Sequence, residues 1–404
     1  MQRMPNERKT APACLAVIAS SLVAVPATSA QAPPALKLSG PSLRATGIGI
    51  PLTGRGAPPG ALVELQRLVA DGRWVTIKTK PASAGGTVKL AYDPGKLSPR
   101  YRLRLAAGGI ASSPITVRTR EITLAAFGDV NFGDGVASVM DARGALWPWQ
   151  GVAPTLRAAD VAFGNLECSI SNRGAPVPKQ FHFRGRPDRL RQVVKFAGLD
   201  VLNLANNHTG DYGTDALLDT VRAVRGSGAL PVGAGATLAA ARRPQVVSRL
   251  GLRIGFVGFS DILPAEFAAG PGRPGTAFAS PQAIADGVRA AARVSDVVVV
   301  TFHWGVERST SENERQRSFS RVALAAGASA VIGAHPHVLQ PIRRAGKSRR
   351  QLVAYSLGNF VWAAGSGVTS ATGILRVKLS GRGVEGAKLL RARIEGARPR
   401  LLGG

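Results

Sequence analysis

The chain has 404 residues, 45% of them hydrophobic, and a formal charge of +28 spread along its length. That length favours two cores over one. The scattered charge excludes a basic tail and leaves two uses for it, a solvated surface or attraction to a polyanion.

The N-terminus carries an address. Arg3, Arg8 and Lys9 precede the apolar run ACLAVIASSLVAV, and PATSA then supplies small residues suited to cleavage after Ala30. The run is short for a membrane span of roughly 20 residues, so residues 1–30 read as a signal peptide and the chain as secreted or envelope-associated. Cys14 lies in that run, which leaves Cys168 alone afterwards. An internal disulfide is thereby excluded, and stability must come from packing.

Residues 33–118 alternate apolar and polar positions in short segments: LKLSG, ALVELQRLV, RWVTIKT, TVKLAY, YRLRLAA and ITVRTR. Turn residues at GRGAPPG, PASAGG and DPGKLSP separate them, at the spacing of a small β-sandwich. The segment contains no histidine. It resembles the immunoglobulin-like modules attached to exported bacterial enzymes, and a spacer or binding role follows.

From residue 121 to about 400 the grammar changes. ITLAAFGD, VAFGNLE, DVLNLANNH, IGFVGFSD, DVVVVTFHWG and SAVIGAHPH are apolar runs of strand length, each ending in polar residues. Helical stretches such as PDRLRQVVKFAG, TDALLDTVRAVRG, PQAIADGVRAAARV and ENERQRSFSRVALAAG lie between several of them. This alternation predicts an α/β layered domain with its polar strand ends gathered along one edge. QLVAYSLGNFVW, GILRVKLSG and AKLLRARIEG read as further strands, a second sheet facing the first.

The strand ends collect Asp129 and Asn131, Asn165 and Glu167, Asn206, Asn207 and His208, His303, and His335 with His337. Taken singly, each has an ordinary explanation as a turn or cap residue. Together they bring four of the chain's five histidines beside carboxylates and amides. Oxygen and imidazole donors without thiolates suit Mn, Fe, Zn or Co. The remaining histidine, His182 in KQFHFRGRP, could line an anion channel with Arg184 and Arg186, or belong to a loop packed over the site. Trp304 reads as a pocket wall, and Asn359 as part of a turn supporting the histidine loops. The chain has neither G-x-S-x-G nor G-x-x-x-x-G-K-[ST], which counts against serine hydrolases and nucleoside triphosphatases.

The ordered series GDVNFG, GNLE, NLANNH followed by DYG, HWGVE, GAHPHVLQPI and YSLGNF resembles the bacterial capsule-synthesis CapA family, also called the PgsA-like or poly-γ-glutamate synthesis family. That family belongs to the calcineurin-like metallophosphoesterase superfamily. The resemblance spans roughly Ile122 to Ser380 and implies a four-layer α/β/β/α sandwich holding two divalent metal ions. It gives Asp129, Asn131 and His337 to the first ion, Asn207, His303 and His335 to the second, and Glu167 to both, with Asn165 as the competing choice for the bridge. Asn131 stands where many relatives carry histidine. His208 is implied as the proton donor in phosphoester hydrolysis, with metal-ionised water as the attacking group. An anionic cell-surface polymer or its precursor, and a membrane-associated synthesis complex, are the implied partners; no specific nucleic acid is expected. The alternative role is a non-catalytic, polyanion-binding scaffold on the same fold.

Overall fold

The computed structural model describes residues 35–94, 98–363 and 366–403. The signal-peptide segment lies outside the described residues. Among the described residues no helix is long and apolar enough to cross a membrane.

All six alternating segments of the N-terminal region are strands: Lys37–Ser39, Leu62–Leu68, Trp74–Pro81, Thr87–Tyr92, Arg100–Ala107 and Ile115–Arg120. Leu43–Ala45, Ile50–Arg55 and Ile110–Ala111 join them, giving one smaller and one larger sheet. Alternate side chains such as Ile50, Leu52, Val63, Leu65, Leu103 and Leu105 point inward and form one apolar cluster, as a period-two pattern dictates. The last strand, Ile115–Arg120, runs almost directly into Ile122–Val130.

Ile122–Val130 starts an α/β region built on two large sheets. One sheet sets Leu230–Val232, Val201–Asn203, Val161–Leu166 and Ile122–Val130 side by side in parallel, then continues antiparallel through Ala371–Ser380, Gly383–Glu395 and Arg398–Leu401. The other orders Gln245–Arg249, Leu252–Ser260, Val297–His303, Ala330–Ala334, Gln351–Ala354 and Ile342–Ala345. The C-terminal strands therefore do not make the second sheet, as their sequence position implied. They extend the first, and the second comes from the middle of the chain. The segment QLVAYSLGNFVW is divided between the two: Gln351–Ala354 pairs with Ala330–Ala334, whereas Asn359–Val361 pairs with Ile122–Val130.

Leu124, Phe163 and Val201 of the first sheet share an apolar cluster with Ile254, Phe256, Val299 and Ile332 of the second. Helices Asp134–Arg143, Pro187–Ala197 and Gly213–Gly226 bury one face against a second cluster, and Pro281–Ala292 and Glu314–Ala325 bury theirs against a third. Sequence-local signals set these helices: Ser280 caps one before Pro281, and Asn313 with Gln316 forms a reciprocal capping box on another. Strands with both faces covered read as continuous apolar runs, which explains VVVVTFH at Val297–His303, buried throughout.

Register brings the functional ends together. Asp129 pairs with Asn165, and Asn165 with Asn203, across the first sheet. Ser260 pairs with His303, and His303 with Ala334, across the second. Phe163 and Phe256 stack between the sheets with ring centroids 5.7 Å apart. Substituting Phe163→Ala is expected to lower the unfolding free energy by about 3–5 kcal/mol, measured by denaturant titration with an unchanged slope; a loss near zero would mean that the two sheets do not share this core.

Candidate metal centre

Five strand ends deliver the polar residues to one buried pocket. Asp129 and Glu167 have no exposed surface, His303 has none, and His335 is buried. Two groups of potential ligand atoms, each within 4.8 Å of one another, occur among the described residues: Asp129, Glu167 and His303, and Glu167, His335 and His337. Glu167 belongs to both. His337 Nδ1 also lies 3.3 Å from Asp129 Oδ2, and His303 Nε2 lies 2.7 Å from Asn207 Oδ1. The distances thus bring together Asp129, Glu167, Asn207, His303, His335 and His337. Asn131 differs: its Oδ1 accepts the Gly133 N–H at 2.7 Å, closing a local turn.

An amide network fixes how Asn165 is turned beside Glu167. Asn203 Oδ1 accepts the Ala205 N–H, and Asn206 Oδ1 accepts the N–H groups of His208 and Thr209. Both residues therefore turn their NH2 groups outward, at 2.8 Å and 3.3 Å from Asn165 Oδ1. The Asn165 NH2 is left facing Asp129 Oδ1 at 2.8 Å, Glu167 Oε2 at 3.3 Å and His303 Nδ1 at 3.3 Å. With its oxygen engaged elsewhere, Asn165 orients the carboxylates as a donor, and Glu167 is the residue shared between the groups.

Fit to a cation can be judged from what these side chains lack. Glu167 Oε1 and His335 Nδ1 are buried with no hydrogen-bond partner among the described residues, a costly arrangement unless something else satisfies them. Burial, then the neighbouring Asp129, pushes the Glu167 carboxyl well above its ordinary range. Burial, then His335 and His337, holds the His303 imidazole well below its own, and burial with His337 brings His335 down to about 4. Neutral imidazoles beside a carboxylate short of positive charge form a donor set that fits a borderline divalent ion. Burial is the largest single influence on His337 and works against its protonation, but the hydrogen bond and charge of Asp129, with Glu307 and Asn359, together raise this imidazole.

The histidine loop is held in an uncommon backbone conformation. His335 has φ +96° and His337 φ +58°, on either side of Pro336, where side chains other than glycine are disfavoured. The surroundings enforce it. The Arg308 N–H bonds the Pro336 carbonyl at 2.8 Å, the His335 N–H faces Asp129 Oδ2 at 3.3 Å, and Asn359 Oδ1 lies 2.9 Å from His337 Nδ1. Asn359 thus supports the loop in the way its turn sequence implies. Gly128 is required beside it, because a Cβ there would meet the Gly358 oxygen at 1.8 Å, and that oxygen accepts the Asp129 N–H.

His208 stands next to the ligand set with a different environment. Its Nδ1 lies 2.7 Å from Asp211 Oδ2, and Lys179 Nζ bonds Asp211 Oδ1 at 2.7 Å and the Asn207 carbonyl at 2.7 Å. Phe183 packs over the ring at 4.3 Å between centroids. Burial lowers the His208 pKa, against the opposing effect of Asp211. Sequence reasoning did not single out Lys179, and Asp211 entered it only as the first residue of the DYG motif, without a role. Asp211 had a signal in its i+3 spacing from His208, whereas Lys179 sits in a loop without periodicity.

The expected anion channel is not built as such. Arg184 stacks over Tyr212 at 3.5 Å and donates to the Arg173 and Gly174 carbonyls, and His182 Nε2 lies 2.5 Å from the Val177 carbonyl. Both tie down the loop that carries Phe183. Trp304 is no pocket wall: it is fully buried, stacks on Phe302 at 4.3 Å, and bonds the Tyr355 carbonyl. The tryptophan beside the site is Trp362, 4.7 Å from the His337 ring and 5.3 Å from Phe183.

Residues 123–364 match the family described as bacterial capsule synthesis protein PGA_cap. The PGA biosynthesis protein CapA of Bacillus subtilis is 32% identical over 281 residues, 69% of this chain and 73% of that protein. The capsule biosynthesis protein CapA of Bacillus anthracis is 29% identical over 282 residues, 68% of each chain. A probable polyglutamine synthesis accessory protein of Mycobacterium tuberculosis is 34% identical over 210 residues, 48% of this chain and 55% of that one.

Glu167→Gln should act with opposite sign in the two metal states. In chelator-treated protein it removes a buried acid beside Asp129 and raises the unfolding free energy by about 1–3 kcal/mol. With divalent metal present it lowers bound metal and stability together. Thermal melting with elemental analysis reads both, and destabilisation of the metal-free protein would contradict the account of this pocket.

Proposed function

The chain belongs to the bacterial capsule synthesis family PGA_cap, and from that premise we propose that it is an exported metal-dependent hydrolase acting on a phosphoester in the assembly of a poly-γ-glutamate-type surface polymer. The single observation that carries the hydrolytic part is Glu167, common to two groups of ligand atoms and left with a buried oxygen that has no hydrogen-bond partner among the described residues. A carboxylate placed in this way suits two divalent ions held side by side. The three apolar clusters, one between the large sheets and one on each outer side, support the four-layer sandwich of calcineurin-like phosphoesterases for residues 121–400. The facing N-terminal sheets support an immunoglobulin-like module over residues 33–118. Export rests on the sequence pattern of residues 1–30.

In this reading Asp129, Glu167, Asn207, His303, His335 and His337 hold Mn, Fe, Zn or Co. When bound, such ions supply Lewis acidity toward a phosphoryl oxygen and lower the pKa of water. Asn131 is left out of the set because its side-chain oxygen closes a turn. The chain's own residues do the rest. Asn165 aims its NH2 at both carboxylates and fixes their rotation. Asp211 holds His208 through Nδ1, so that Nε2 is the nitrogen able to hand a proton to the departing oxygen. Lys179 engages the second oxygen of Asp211 and prevents that carboxylate from turning away. Phe183 and Trp362 form an apolar side of the site, one against His208 and the other against His337. Such walls exclude water around the transferred proton.

His208→Ala is expected to lower turnover by roughly 10²–10⁴-fold while bound metal stays nearly unchanged. Purified protein loaded with Mn and assayed on a panel of phosphomonoesters and phosphodiesters, with metal content measured in parallel, tests this. Loss of metal in the variant would make His208 a ligand, and absence of metal-dependent turnover in the parent chain would end the hydrolase reading.

A further inference from the structure

The N-terminal region has a charge distribution that the metal centre does not use. Its larger sheet orders Leu43–Ala45, Ile115–Arg120, Arg100–Ala107, Leu62–Leu68 and Trp74–Pro81. In Arg100–Ala107, Tyr101, Leu103 and Leu105 point into the apolar cluster, so Arg100, Arg102 and Arg104 stand on the opposite, solvent face. Arg118 joins them from the neighbouring strand, directly paired with Arg100 and exposed. Positions i and i+2 along a strand recur at about 6.6–6.8 Å and adjacent strands lie at about 4.8 Å. The four guanidinium groups therefore form a ladder on a fixed frame.

These charges are not neutralised locally. Arg100, Arg102 and Arg118 form no ion pair among the described residues, and Arg104 is aimed by Gln66 at 2.9 Å and by the face of Trp74 at 4.3 Å. The acid on this face, Glu64, is engaged by Thr76 and Gln66. Like charges on neighbouring positions of a sheet are destabilising, so the ladder is held against its own repulsion. Another basic surface, Arg376, Lys378 and Lys388 on the C-terminal strands, differs in sharing a cleft of about 730 Å³ with Glu121 and Glu385.

We propose that this arginine ladder is the docking surface for a linear polycarboxylate, laid across the strands so that successive carboxylates meet successive guanidinium groups. Planar, forked donors match carboxylates in a two-bond geometry, and a flat row of them suits an extended chain. Paired directly beside the ladder are the polar side chains Thr116 and Gln66, and the nearby aromatic ring, Trp74, is covered by the Arg104 guanidinium. The choice of poly-γ-glutamate as the polymer rests on the capsule-synthesis reading above; the ladder's location and chemistry do not. The metal centre would then act on a polymer, or on a precursor attached to it, that the N-terminal region retains.

The test is fluorescence anisotropy of labelled poly-γ-glutamate with the purified chain at low and high salt. The triple variant Arg100→Gln, Arg102→Gln, Arg118→Gln is compared with Arg376→Gln, Lys378→Gln, Lys388→Gln, which removes the same charge elsewhere. The ladder variant is expected to bind roughly tenfold more weakly and with a flatter salt dependence, with its melting temperature equal to or above the parent's and its metal content unchanged, while the control variant binds as the parent does. Equal weakening by both variants would reduce the effect to net charge and overturn the proposal. Tighter binding of phosphatidylglycerol–phosphatidylcholine vesicles or duplex DNA through the same arginines would overturn it as well. If the parent chain itself does not bind poly-γ-glutamate, the polymer part of the proposed function falls with it. If the parent binds and the ladder variant is unaffected, only the ladder falls.

Discussion

A carboxylate with no solvent exposure is stable only where positive charge or several donors compensate for its lost hydration, and Glu167 is such a group. Its Oε2 faces an amide NH2 from Asn165, and its Oε1 has no hydrogen-bond partner among the described residues, with His303 Nε2 3.4 Å away. Around that deficit the pocket is organised. Asn203 and Asn206 fix which way Asn165 points, two neutral imidazoles approach from the other sheet, and a strained loop brings His335 and His337 onto the same acid. Cooperativity follows from the geometry. No member of the amide chain can rotate without leaving a neighbour's donor or acceptor unsatisfied.

The two large sheets make this possible by contributing different chemistry. The first supplies Asp129, Asn165 and Glu167 and the loop with Asn206, Asn207 and His208; the second supplies His303 and the His335–His337 loop. Carboxylates and amides thus lie on one side and imidazoles mostly on the other, with the apolar cluster shared by the sheets beneath them. The segment between Gln351–Ala354 and Asn359–Val361 passes from one sheet to the other and places Gly358 against Gly128. That crossing links the histidine loop to the strand that carries Asp129.

Much of this was legible in the sequence, and the reasons are local. Strand ends were readable because buried runs such as VVVVTF stop at a polar residue, and six alternating segments announced the N-terminal sheets. Ile50–Arg55 escaped because Pro51 and Gly54 read as breakers, although it is the middle strand of its sheet. The allocation of C-terminal strands between sheets was not readable, since pairing across the sheet is a long-range choice that periodicity does not encode. Among site residues, the histidines and carboxylates declared themselves by clustering. Trp304 was misjudged because adjacency to His303 on a strand places it on the opposite face, away from the site and against Phe302. Trp362 and Lys179 were missed because their neighbours in space are distant in the chain.

The position of Ile122–Val130 has a consequence in time. It lies between Val161–Leu166, which follows it closely, and Ala371–Ser380, near the end of the chain. Contacts of such long sequence separation form late and slowly. Until the last strands have emerged, Asp129 hangs from an open sheet edge and Asn359 is not yet in place to seat His337. In the function proposed above, metal capture is therefore an event of the folded polypeptide, and whichever compartment completes the folding would also decide which ion is available to be captured.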